Sequence, residues 1–232
     1  MIHQLIFAAP KPGLTEQQFQ DYWVNVHAVN FASKITQIKQ YSVSNRIPLG
    51  RPDEQVIWSG IADIWLENEK EQLESLQSDP FLKGARLDEP NWAAFWMTAV
   101  LDTDAHVILP GGGLKKDADW VKLVVLAKRK WGMPLDEFRR YGLEQQAQLD
   151  LKLPGLRRFV VCMARDGLYS ISEPGFDAAA CLWFDSPEAF RAAMDSPEGK
   201  ASEASLPNFL EMKYVHPMLT RESWVIGPYG HD

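Results

Sequence analysis

Apolar and polar positions along the chain fall into short strand-like runs separated by stretches of helical period. The first run, His3 to Ala9, is apolar and stops at Pro10, which reads as a β-strand. Thr15 then stands as an N-cap with Gln18 three residues on, the pattern of a capping box. The helix it opens carries Phe19, Trp23 and His27 in one row spaced by four, with Tyr22 and Val26 in the neighbouring row. Strands are predicted near Gln37 to Ile47 and Val56 to Leu66. A helix follows from about Glu69 through Leu76, and a last strand from about Ala93 to Leu101.

The same pattern then recurs. LIFAAPKPGLTEQQFQDYW lies without a gap over VVLAKRKWGMPLDEFRRYG, so that Ala8, Lys11, Gly13, Phe19 and Tyr22 fall on Ala127, Lys130, Gly132, Phe138 and Tyr141, each 119 positions later. The offset drops to 118 further on. Ile38 and Tyr41 meet Leu156 and Phe159, and Ala62, Ile64 and Trp65 meet Ala180, Leu182 and Trp183. Strand, helix, strand, strand, helix, strand is the split βαββαβ order of a ferredoxin-like α+β fold. Such a sheet has helices on one face only, so its other face needs a partner. Two tandem copies provide one, and the expected architecture is two ferredoxin-like units packed sheet to sheet as a pseudo-symmetric α+β barrel. Residues 1–109 form the first unit, 110–119 (PGGGLKKDAD) a flexible linker, and 120–232 a second, diverged unit.

Composition narrows the partners. A net charge of −7 over 232 residues argues against nucleic-acid binding, which needs a basic footprint. No segment approaches the roughly 20 apolar residues of a membrane span. The N-terminal run has no basic region before it and reads as a strand, not a signal peptide, so cytoplasm is the default location. Cys162 and Cys181 sit in apolar, strand-like runs where free thiols act as small hydrophobes. The histidines at 3, 27, 106, 216 and 231 show no metal-ligand spacing, so no metal is expected.

The candidate chemistry lies where the copies differ. In the strand ADIWL, alternation puts Ile61, Asp63 and Trp65 on one face. A carboxylate there costs several kcal/mol unless it is paired, on the order of 2–7 for a lone polar group. In the second copy His27 becomes Gln146 and Asp63 becomes Cys181, so two ionisable groups vanish together. The expectation is that Asp63 orients His27 across the gap between helix and sheet, which would suit the imidazole to proton transfer. Tyr22 and Asn25 would bind a ligand oxygen, and Trp23, Tyr41, Trp65, Phe95 and Trp96 would wall an aromatic pocket. Beside this stands the plainer reading, in which His27 is a buried structural histidine and the aromatic stripe is core. Gly142 replaces Trp23 in the second copy, and Trp131 is the expected filler of the gap, with Glu144, Gln146, Cys162 and His216 as polar groups that could line it.

The pattern KxGLTxxxFxDYWxxxHA over residues 11–28, with Ala62-Asp63-Ile64-Trp65 in a later strand, resembles the EthD-type proteins of the dimeric α+β-barrel superfamily. The second copy keeps KLPGLRRF and ACLWFDSPEAF. Family members usually carry one unit per chain and dimerise, so the resemblance implies a fused pair; a further homodimer through sheet edges stays open. It also implies work on small organic molecules in degradation or polyketide tailoring, where relatives act as cofactor-independent dehydratases, decarboxylases, cyclases or small monooxygenases. The resulting expectation is an enzyme without a cofactor, acting on a hydrophobic, aromatic or cyclic carbonyl compound through His27. The alternatives are a non-catalytic binding protein and a haem protein, since one axial histidine leaves no spacing motif.

Overall fold

The computed structural model describes every residue except 51–53, 113–114, 117, 171 and 229–232. Three linker positions (113, 114 and 117) and His231 therefore lie outside the described residues. The chain divides into two compact units: Met1–Asp102 with Lys115–Ala118 and Thr220–Asp232, and Thr103–Leu114 with Asp119–Leu219.

In the first unit, strand β1 (Ile2–Ala8) leads to Thr15, whose hydroxyl accepts from the Gln18 backbone while the Gln18 side chain accepts from the Thr15 backbone. Both halves of the expected capping box are present. They open helix α1 (Glu16–Tyr22), which widens into a π-helical turn over Trp23–Ala28. Strands β2 (Ile38–Arg46) and β3 (Gly60–Leu66) follow, and then helix α2 (Glu69–Gln77), capped by Asn68. After α2 the backbone runs through a second π-helical turn, Pro80–Ala85, into the single turn α3 (Arg86–Asp88) and a 3-10 turn, Glu89–Asn91.

The strand expected over Ala93 to Leu101 begins later, as β4 (Ala99–Leu109). Phe95–Met97 curls into a 3-10 turn instead, with Met97 N–H donating to Ala94 and Thr98 N–H to Phe95. The aromatic run that reads as a strand is thus a local turn.

Alternation along the paired strands sorts the side chains of this unit. Leu5 stands opposite Asp63, and Asp63 opposite Ser42; Ile6 stands opposite Ala62, and Ala62 opposite Val43. Ile6, Ala8, Tyr41, Val43, Ala62 and Ile64 share one cluster with Phe19 and Trp23 of the helical segment. That is the helix face. His3, Leu5, Asp63 and Trp65 belong to the opposite face.

The second unit repeats the order with β5 (Val121–Arg129), α4 (Leu135–Arg140), a π-helical turn over Tyr141–Gln146 and α5 (Ala147–Asp150). It continues through β6 (Leu156–Ala164), the short α6 (Asp166–Tyr169), β7 (Ala178–Phe184), α7 (Pro187–Asp195), α8 (Pro197–Ser205) and β8 (Leu210–Ile226). The protein is α+β, and its strands hydrogen-bond in the closed-barrel order β1-β3-β2-β8-β5-β7-β6-β4. Cys162 and Cys181 are both buried, and neither is in a disulfide. Among the described residues, no helix is long and apolar enough to cross a membrane.

Candidate functional site

The row Phe19, Trp23 and His27 packs against a single ring. Trp92 lies 5.3 Å from Phe19, 4.8 Å from Trp23 and 4.7 Å from His27, centroid to centroid. Phe95 meets Trp92 edge-on at 6.1 Å, and Phe31 lies 6.2 Å from His27. Helical spacing brings the row to one side of α1, and the wider π-turn carries His27 on beyond it.

The carboxylate beside His27 is Asp88. Its Oδ2 lies 2.9 Å from His27 Nδ1, while its Oδ1 accepts from the Tyr22 hydroxyl at 2.8 Å and from Asn91 Nδ2 at 3.0 Å. Burial pushes the Asp88 carboxyl up, but hydrogen bonds from Asn91, His27 and Tyr22 outweigh it and leave the group below its ordinary pKa. Asp88 is therefore ionised at neutral pH and can only accept. It follows that Nδ1 of His27 carries the proton and donates it. Burial, the larger influence on His27, holds its pKa below the ordinary 6.5, with Asp88 pulling the other way. The imidazole is neutral at pH 7, and its Nε2, which makes no hydrogen bond to a described residue, is left as a base.

This corrects the expected partner of His27. Asp63 is buried on the opposite face of the sheet, where its Oδ1 lies 2.8 Å from His3 Nε2. Trp65 is with it, 4.3 Å from the His3 ring, and so does not wall the His27 site. Side chains alternate along β3 as the sequence predicts, but Ala62 and Ile64 are the residues that turn to the helix.

Among the other expected site residues, Trp23 and Tyr41 are buried on the helix face and joined through Trp23 Nε1 donating to the Tyr41 hydroxyl at 3.2 Å. Burial raises the Tyr41 pKa so far that it stays protonated. Tyr22 joins Asp88, and Phe95 is half-buried against Trp92. Asn25 is exposed on the far side of its helix, and Trp96 is 73% exposed, so neither joins this cluster.

Asp88, Asn91 and Trp92 stand outside the residues that local spacing singles out, yet the repeat contains them. Asp88-Glu89-Pro90-Asn91-Trp92 matches Ser205-Leu206-Pro207-Asn208-Phe209 at an offset of 117. In the second unit the Tyr141 hydroxyl bonds Ser205 at 3.0 Å and takes a hydrogen bond from Asn208 at 3.0 Å. Gln146, standing where His27 does, donates to Asp150 and Ser202. The scaffold of tyrosine and asparagine is kept, and the acid and base are gone.

The gap at Gly142 is filled from the sheet. A Cβ placed there would lie 2.8 Å from Met163 Cε and 3.8 Å from Phe209. Trp131, the expected filler, is 91% exposed. In the first unit Trp23 presses on Gly60, where a Cβ would stand 2.8 Å from its ring; the matching residue across from Gly142 is Ala178. Glu144 is exposed, and His216 packs edge-on to Phe176, so neither lines that space.

The EthD domain family matches residues 11–95 and again 130–213. No curated protein matches the sequence. Similar solved structures include an anthrone oxidase-like protein, with 12% identity, TM-score 0.66 and coverage of 97% of this chain and 92% of that one. A candidate monooxygenase from Lactobacillus acidophilus NCFM is 10% identical, TM-score 0.53, over 96% and 93% of the two chains. An ethyl tert-butyl ether D (EthD) family protein from Bacillus halodurans C-125 is 27% identical over 43% of this chain and 95% of its own, with TM-score 0.37.

Proposed function

Because this chain belongs to the EthD domain family in both of its halves, we propose that its first unit is an enzyme that removes a proton from carbon next to the carbonyl of an aromatic or cyclic ketone, with His27 as the base. The observation that carries this reading is the Asp88-bound, neutral imidazole whose Nε2 is unengaged beside the rings of Trp92 and Phe31. A base is best placed when its pKa lies near the working pH and its tautomer is fixed; Asp88 fixes it.

The proton passes from carbon to Nε2, and the bonding pair moves onto the carbonyl oxygen as an enolate. Where dioxygen is the co-substrate, the electrons that reduce it come from the substrate's own methylene, which becomes a carbonyl with water as the second product. Dehydration, cyclisation or decarboxylation would begin from the same enolate. The names anthrone oxidase-like and monooxygenase borne by proteins of similar fold favour the oxygenation branch.

Anthrone, an aromatic ketone with an acidic methylene, is the first substrate to try. The wild-type protein should speed its conversion to anthraquinone with matching oxygen uptake. His27→Asn should lower kcat by about 10²-fold or more while leaving affinity nearly unchanged. Equal turnover by His27→Asn and wild type would overturn the assignment.

A further inference from the structure

Among the described residues of the first unit, three indoles are buried: those of Trp23, Trp58 and Trp92. The N–H of Trp23 donates to Tyr41, and that of Trp58 donates to the Met97 carbonyl at 2.7 Å. The N–H of Trp92 is buried and meets no acceptor among the described residues. Trp92 is 1% exposed, so water outside the protein does not serve it. A buried donor left unmet costs about 1–3 kcal/mol, which is why such groups are rare and call for an explanation.

The second unit shows that the cost is avoidable. Its matching residue, Phe209, follows the same Pro-Asn pair, packs on Phe138 and Tyr141, and has no N–H to satisfy. The unit with phenylalanine here is the unit with glutamine for His27 and serine for Asp88. Indole donor, imidazole and carboxylate are present together in one copy and absent together in the other. A purely packing role accounts for the ring of Trp92 but not for its nitrogen.

We propose that the Trp92 indole N–H is the donor that takes the ligand's carbonyl oxygen, making Trp92 the positioning and specificity residue of the His27 site and a carbonyl or phenolic oxygen on an aromatic frame the feature it selects. This rests on the proposed function of that site. The ring centroids of Trp92 and His27 are 4.7 Å apart, so the indole and the imidazole border the same part of the first unit, and a ligand held by one would lie beside the other. A donor fixed beside the oxygen that gains charge when Nε2 takes the proton stabilises the enolate more than the ketone. A site built to donate to oxygen also rejects analogues that lack it, because its own polar group is then left unmet.

The test compares anthrone with 9,10-dihydroanthracene, which has the same frame without the carbonyl, both titrated without oxygen. In wild-type protein labelled at the indole nitrogens, the Trp92 N–H resonance should move with anthrone and stay with dihydroanthracene. Trp92→Phe, the residue the second unit carries, should weaken anthrone about three- to ten-fold and leave dihydroanthracene unchanged. Equal weakening of both probes, no weakening of either, or an indole resonance that ignores anthrone would overturn the proposal. The wild-type resonance measurement needs no variant, so a poorly folding Trp92→Phe leaves the test intact. Should His27→Asn abolish turnover while the probes fail to discriminate, this inference falls alone; should wild type bind no anthrone, both readings fall.

Discussion

The ring of His27 is held by Asp88, 61 residues further along the chain, through an Nδ1 to Oδ2 hydrogen bond of 2.9 Å. Two more donors, Tyr22 and Asn91, converge on the other oxygen of the same carboxylate. Three hydrogen bonds outweigh burial at Asp88, whereas at His27 burial outweighs its single charged partner. The result is an ionised carboxylate against a neutral imidazole, the combination a proton acceptor needs.

Asp88→Asn tests the carboxylate. An amide offers one acceptor atom to three donors, and its N–H₂ placed toward Nδ1 would shift the imidazole proton to Nε2. Turnover should fall about 10²- to 10⁴-fold with KM little changed, since Asp88 acts through His27 and not on the substrate. Steady-state kinetics read this directly. A rise in KM alone would mean that Asp88 shapes the binding site instead.

The pH dependence has a definite sign. His27 must be neutral to act, and burial sets its pKa below 6.5, so kcat/KM should hold at neutral pH and decline only as pH falls through a midpoint under that value. Stability moves the same way. Below 6.5 the unfolded chain takes up a proton that folded His27 refuses, so acid weakens the fold until the lowered folded midpoint is reached. His27→Asn should remove that part of the decline in a series of unfolding curves.

The pair His3 and Asp63 should behave differently. It is buried on the face away from His27. Asp63→Ala removes a buried hydrogen bond to the His3 imidazole and should cost about 1–3 kcal/mol of stability, with kcat of the folded protein retained. Chemical denaturation and turnover measured on one preparation separate the two effects. Loss of turnover without loss of stability would return Asp63 to the catalytic centre.

The size exchange between the units gives a further check. Gly60→Ala drives a methyl into the Trp23 ring and should destabilise by about 1–3 kcal/mol. Met163→Ala empties the space beside Gly142 and should cost about 2–5 kcal/mol. Denaturant midpoints of the two variants supply the comparison. Little change at Met163 would mean that another group can close the gap.

The sequence reveals the duplication, the element order, the Thr15 cap and the row that ends in His27, because each rests on local spacing. It also reveals that an acid and a base were lost together. The acid it points to is the wrong one. Alternation in β3 separates Asp63 from Ala62 and Ile64, but nothing local says which set meets a helix. Asp88 lies where π, α and 3-10 turns succeed one another over residues 80–91, so no single period marks its direction. The signal that finds it is the Pro-Asn-aromatic repeat at 90–92 and 207–209, with aspartate in one copy and serine in the other. Trp131 failed as a filler because its place in the alignment, opposite Pro12, lies on a turn that keeps it in solvent.

Nitrogen NMR of imidazole-labelled protein at neutral pH, followed through acid titration, addresses the proton acceptor itself. His27 should show a protonated Nδ1 and an unprotonated Nε2, with a midpoint below 6.5. An imidazole protonated at Nε2, or doubly protonated at pH 7, would contradict the account.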